Sequence, residues 1–265
     1  MSRYGQKTRQ GNNATTDVVA NWFGNQFVTL PLPSFDGLRV WIDANDSSTI
    51  TASSSRVSAI SNKAPGYTSF TWSNGTGGSQ PLLVENAQGG KQVMQFTNAR
   101  SDILFNTTSS PMASETTLTM FLVCKTTSTN NGYKFSIGSD TSNTAAPLWY
   151  QLSSKNYYET GSGGSSTTGT YTAVNVANIN YVNHISSTSK DFRTYVGGTA
   201  VETISGGAGG LSVGGPTSPV SAIGRGFGAT PPPDMNFCEV LLYNKTLTTD
   251  EINQNITYLT SKWGL

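Results

Sequence analysis

The stretch that most limits what this chain can become is its C-terminal end, Asn236 to Leu265. Phe237-Cys-Glu-Val-Leu-Leu-Tyr243 is a short apolar run, partly β-branched and aromatic, about as long as one buried strand. Asn244-Lys245 turns the chain, and Thr248 with Glu251 three residues later forms a capping box that starts a helix. Ile252, Ile256 and Leu259 follow at helical spacing, with Trp263 one turn on and Gly264 at the C-cap position. A strand feeding a capped terminal helix pins this end against a core. Trp263 and Trp41 are expected in that core.

Upstream the pattern changes to strands separated by polar loops. Leu38, Val40 and Ile42 alternate with Arg39, Trp41 and Asp43. Further strands are expected at 57–63, 67–72, 82–84, 92–96, 103–105, 117–126, 133–138, 148–152, 171–176, 180–186, 191–196, 199–201, 211–214 and 222–225. Asn74-Gly75, Gly89-Gly90 and Gly197-Gly198 read as turns, and 161–169 and 206–210 as Gly-rich loops. The run from Thr117 to Thr126 is apolar on both faces near its middle, as a central strand should be. No long helix interrupts the series and no internal repeat emerges. The expectation is therefore all-β: a two-sheet antiparallel β-sandwich (jelly roll) with a short C-terminal helix.

Only 12% of the 265 residues are charged and the net charge is +1, so the electrostatic footprint of a nucleic-acid or anionic-membrane partner is missing. No run reaches the length of a membrane span, and Met1 to Lys7 lacks the apolar core of a secretory signal. Cys124 and Cys238 sit inside apolar strand runs and read as buried free thiols, with a disulfide the minority reading. Residues 1–35 start polar and basic (Arg3, Lys7, Arg9). They then carry Val18, Trp22, Phe23, Phe27 and Leu30 before Pro31-Leu32-Pro33. Two readings stay open: an arm that docks on another chain, or a first strand of the same domain.

With these elements placed, residues 36–265 resemble the concanavalin A-like (laminin-G-like) jelly-roll superfamily, most of all its phage virion-protein type. The resemblance is carried by 38–44, Val57-Ser58, 81–83, 93–96 and 119–125. It continues through Glu239 to Asn244, Leu247-Thr248, Glu251-Ile252 and 258–265. The fold hosts lectins, glucanases, adhesion domains and virion proteins, so it does not fix a function. Its glucanases carry two Glu on one strand flanking an Asp. Here Glu85, Glu115, Glu159, Glu202, Glu239 and Glu251 all lie more than four positions apart, and Glu239 has no partner carboxylate in its strand. His184, the one histidine, reads as a hydrogen-bonded strand residue and completes no triad. Zinc spacing is missing. Relatives bind calcium through Asp and Asn, which leaves Asp43, Asn45 and Asp46 as weak candidates, although such a cluster usually ends a strand. No other cofactor is implied. Aromatics beside loops are the candidates for stacking on sugars: Trp72, Trp149, Tyr157 and Tyr158, with Tyr150 beside them.

The leading expectation is a non-enzymatic phage virion structural protein, made in the host cytoplasm. Residues 1–35 would attach it to other virion proteins, and its copies would form a homo-oligomer, with a trimer left open. A carbohydrate-binding module for host surface glycans is the alternative, and a polysaccharide hydrolase the second alternative. The side chains expected to matter most for stability are Phe121, Val123, Val240 and Leu242.

Overall fold

A computed structural model describes residues 16–20, 27–74, 79–106, 111–112, 115–137, 147–152, 154–160, 166–172, 174–186, 189–205, 221–224 and 231–265. In chain order the strands are β1 (Thr16–Ala20), β2 (Phe27–Pro31), β3 (Leu38–Asp43), β4 (Ile50–Ser53), β5 (Arg56–Ser61), β6 (Thr71–Ser73) and β7 (Leu82–Gln88). Next come β8 (Lys91–Phe96), β9 (Leu104–Asn106), β10 (Leu118–Thr126), β11 (Gly132–Ile137), β12 (Pro147–Leu152) and β13 (Lys155–Thr160). The series closes with β14 (Ser166–Thr172), β15 (Asn178–Ser186), β16 (Ser189–Val196), β17 (Thr199–Ser205), β18 (Ser221–Ile223), β19 (Met235–Tyr243) and the helix α1 (Thr249–Trp263).

The pairings give two antiparallel layers. One runs β17–β16–β15–β10–β19, with β3 and β8 sharing the far side of β19. The other runs β14–β13–β12–β11–β18–β9–β6–β5. The layers join at one edge, where β8 pairs β7 and β7 reaches β5. β1 and β2 form a separate two-stranded sheet, Thr16 opposite Pro31 and Ala20 opposite Phe27.

The layer carrying β10 and β19 is buried on both faces, which explains why these two strands read as near-continuous apolar runs. Its inner face sends Val40, Ile42, Leu118, Met120, Leu122, Phe237, Val240 and Leu242 into the space between the layers. Phe135, Ile137 and Trp149 meet them from the other layer. Its outer face sends Trp41, Phe121, Val123, Leu241 and Tyr243 against Ile252, Ile256, Leu259 and Trp263 of α1. Phe121, Val123, Val240 and Leu242 are fully buried, each contributing roughly 1.5–3 kcal/mol by transfer from water. Cys124 and Cys238 are free and buried in different cores, on opposite faces of the β10–β19 pair.

The expected capping box is present. Thr248 accepts from the Glu251 N–H, and the Glu251 carboxylate accepts from the Thr248 N–H at 2.8 Å. Gly264 is left-handed at φ 62° and closes the helix. The β7–β8 turn abuts that end: the Gln88 amide donates to the Trp263 carbonyl at 3.0 Å. A Cβ at Gly89, itself at φ 54°, would lie 2.5 Å from that same oxygen. Only glycine suits a position so tight and left-handed.

Several elements differ from the sequence reading. The strand expected at 67–72 is shorter and later (β6); Tyr67 and Phe70 instead lie in the turns before it, rings 6.2 Å apart. The strand expected at 171–176 lies at β14, half inside the supposed 161–169 loop. β4 and β13 were not expected. β13 carries a buried Asn156 on its inward face, which breaks the apolar alternation. The expected strand at 211–214 and the loop at 206–210 lie outside the described residues.

Candidate functional site

Two buried polar clusters flank the β10–β15–β19 layer, one on each face. The first lies under α1. Glu239 is fully buried on β19, and its register partner on β3 is Asp43. Trp41 Nε1 donates to Glu239 Oε1 at 2.6 Å and the Tyr258 hydroxyl donates at 2.7 Å. Trp263 Nε1 reaches Oε2 at 2.7 Å, and Lys262 Nζ at 2.8 Å. Lys262 also touches Asp43 at 2.7 Å, and Lys63 bridges Asp43 (2.9 Å) and Asp46 (2.8 Å) while lying 4.3 Å from the Trp41 ring centre.

The Glu239 oxygens meet donors on every contact, so the carboxylate form fits the site, even though burial pushes its pKa up against the pull of Lys262. Burial also pushes Asp43 up, but Lys262 and Lys63 beside it prevail and hold it below the ordinary carboxylate range. This corrects the reading of Glu239 as a lone carboxylate. Its partner, Asp43, lies across the sheet and far away in sequence.

The same cluster absorbs the calcium candidates. Asp43 and Asp46 face the Lys63 ammonium, and the Asn45 side-chain oxygen accepts from the Gln92 N–H at 3.2 Å. Asp46 also caps the following turn, accepting from the Ser48 N–H at 3.1 Å. The three residues therefore end a strand and anchor a lysine. Among the described residues no group of three or more His, Cys, Asp or Glu is placed to hold a metal ion.

The second cluster lies between the layers. Along β15 and β16 the inward positions pair His184 with Lys190, Val182 with Phe192 and Asn180 with Thr194. In the other layer the Trp149 ring lies 5.4 Å from that of Tyr158, and across the core 5.1 Å from that of Phe192, tilted against both. The Lys190 ammonium lies 5.7 Å from the Tyr158 ring centre. Farther in, Lys134 donates to Asn156 Oδ1 at 2.5 Å, Asn156 to Thr194 at 3.4 Å, and Thr194 to Glu202 at 3.2 Å. Glu202 also accepts from the Thr170 and Tyr171 N–H groups and the Thr170 hydroxyl, which ties β17 to β14 across the open edge of the sandwich.

This placement revises the sugar-stacking candidates. Trp72, Trp149 and Tyr158 are fully buried, so they present no ring face to solvent. Trp72 donates its indole N–H to the Ser221 hydroxyl at 2.8 Å inside the core. The side chains of Tyr150 and Tyr157 lie outside the described residues. His184 departs from its expected role. It is fully buried in β15, and neither ring nitrogen has a hydrogen-bond partner. Burial, with the Lys190 charge nearby, pushes its pKa down to about 4; burial lowers Lys190 to about 8. Strand alternation from Val182 could have placed His184 inward. Nothing local pointed to Lys63, Tyr258 or Lys262 as the companions of Glu239.

No protein-family model matches the chain, and neither does any curated protein sequence. Solved structures do match. The botulinum neurotoxin serotype D binding domain superposes with a TM-score of 0.56 at 9% identity, over 84% of this chain and 51% of that one. The serotype D ligand binding domain in complex with N-acetylneuraminic acid gives 0.53 at 11%, over 84% and 51%. A mutant of Trypanosoma rangeli sialidase displaying trans-sialidase activity gives 0.50 at 13%, over 86% and 33%. This chain thus spans about half the length of the toxin structures, or less of the sialidase. At such identities the likeness concerns architecture, and the chain has an antiparallel β-sandwich fold.

Proposed function

We propose that the chain is a non-enzymatic display module of a bacteriophage virion, made in the host cytoplasm and assembled in several copies. The observation that carries the non-enzymatic part is the state of the facing carboxylates. Glu239 and Asp43 are locked in a network of lysine, tyrosine and tryptophan donors under α1, an arrangement that holds a helix and commits both carboxylates to donors of the protein itself. The likeness to toxin binding domains supports the same reading. The virion part rests on the resemblance of residues 36–265 to phage-type members of the superfamily.

Attachment is assigned to the N-terminal segment. The Ser34 N–H donates to Asn255, the Gln254 amide donates to the Leu32 carbonyl, and the Tyr243 hydroxyl donates to the Ser34 carbonyl. Residues 32–34 therefore belong to the sandwich, and an attachment arm would end before them. Removing residues 1–31 should leave a cooperatively folding domain that no longer enters particles. Mass spectrometry of particles released on host lysis checks both points. Absence of the full chain from particles would refute the reading.

A second reading is a glycan-binding module for host attachment, favoured by a structural neighbour solved with N-acetylneuraminic acid. A glycan array separates the two. Selective binding that Tyr157→Ala abolishes would establish the second, and a blank array leaves the first.

A further inference from the structure

Lys134, Asn156 and Thr194 are fully buried between the layers. The register of β11 on β12 shifts between Tyr133 and Phe135, so Lys134 has no partner on β12. A bulge of this kind re-aims the extra side chain. Here it carries the lysine past β12 to Asn156 on β13, 22 positions on, with Nζ 2.5 Å from Asn156 Oδ1. Among the described residues no carboxylate pairs with Lys134.

Burial penalises the charged form and pushes the Lys134 pKa down. The neutral amine carries a lone pair, and desolvation is one way in which a lysine becomes a nucleophile. The atom bonded to the oxygen it touches is Cγ, the carbonyl carbon of a primary amide. At the other end of that amide, Asn156 Nδ2 donates to the Thr194 hydroxyl at 3.4 Å, and Thr194 donates to Glu202 Oε2 at 3.2 Å. Glu202 is itself fixed by the Thr170 and Tyr171 groups. The amide therefore has an amine at its carbonyl end and a hydroxyl–carboxylate pair at its nitrogen, the two ends of an acyl transfer. Holding these groups together in one dry place removes the need for an encounter in solution.

We propose that Lys134 and Asn156 join in an intramolecular isopeptide bond, a covalent strap from β11 across β12 to β13. The Nζ lone pair forms a bond to Cγ and the Cγ–Nδ2 bond breaks. Nδ2 keeps its electron pair, takes up the proton that Nζ gives up, and leaves as ammonia. The Thr194 hydroxyl, hydrogen-bonded to Nδ2, bridges that proton transfer, and Glu202 is the positioning residue that holds Thr194. The step needs no oxidant and no cofactor. The strap closes a loop as a disulfide would, in a chain whose two cysteines are free. It is independent of whether the chain is a virion protein.

The test is mass spectrometry of the folded full chain. Its mass should fall one ammonia below that of the linear sequence, and tryptic digestion should yield a branched peptide that joins the segments of Lys134 and Asn156. Lys134→Met should restore the linear mass; if that variant does not fold, the branched peptide of the unaltered chain decides alone. In chain sampled over time after cell-free synthesis, Glu202→Gln should slow bond formation roughly a hundredfold. Its circular dichroism should be unchanged, and Glu202→Asp should recover part of the rate. A linear mass, with Lys134 and Asn156 in separate peptides, would overturn the proposal. So would an ammonia loss that persists in Lys134→Met or that maps to a succinimide at an asparagine.

Discussion

Two buried polar clusters, one on each face of the β10–β15–β19 layer, are satisfied in opposite ways. Under α1, the Glu239 oxygens receive four donors, and two lysines tie Asp43 and Asp46 into the same net. Between the layers, His184, Trp149 and Tyr158 are equally buried, yet four of their polar atoms receive nothing. Burial alone therefore does not separate structure from function here. Satisfaction does. A saturated cluster resists change and acts as a clamp, whereas an unsatisfied one carries a standing desolvation cost.

If this contrast is right, the clamp should be costly to break. Lys262→Met leaves Asp43 and Glu239 facing each other in a buried setting without the charge that bridges them. A loss of about 3–5 kcal/mol is expected in urea unfolding. A loss below about 1 kcal/mol would reduce the network to decoration.

The inter-sheet cluster should show itself through pH. His184 is held neutral in the folded chain, its pKa pushed from 6.5 down to about 4. The unfolded chain takes up a proton there first, so stability is full above pH 6.5 and falls as pH drops toward 4. The contribution lost is up to about 3 kcal/mol. His184→Leu should flatten the pH dependence across this window. Asp43, held low by its lysines, adds a separate loss that begins below pH 3.8. An unchanged slope in the variant would mean that His184 is not buried neutral.

The smallest effect belongs to the helix start. Thr248→Ala removes the hydroxyl of the capping box and should cost about 1 kcal/mol. Thermal unfolding resolves it, and the loss should be the same in the His184→Leu background because the two sites share no partner.

Local chemistry made some of this architecture legible and hid the rest. Thr248, Glu251 and Gly264 could be read directly because capping depends on residues a few positions apart. The double-faced burial of β10 and β19 was visible as unbroken apolar runs. Glu239 looked solitary because its companions Trp41 and Asp43 come from the other end of the chain, on the neighbouring strand β3. Trp72, Trp149 and Tyr158 looked like surface aromatics because they neighbour polar loop residues, but alternation turns each of them inward. β13 and β14 escaped notice because Asn156 and a run of Ser, Thr and Gly carry no apolar period. Glu202 and strand pairing hold them in place.

The contrast between the two clusters can be measured in one experiment: urea unfolding of Glu239→Ala and His184→Leu beside the unaltered chain, at pH 7 in chloride buffer free of carboxylates and oxyanions. Glu239→Ala should lose about 3–5 kcal/mol, because two indole N–H groups and the Tyr258 hydroxyl are left buried without their acceptor and Lys262 loses one of its two carboxylates. His184→Leu should stay within about 1 kcal/mol or gain stability, since it removes polar atoms that had no partner. The reverse order would contradict the contrast between the satisfied and the unsatisfied cluster.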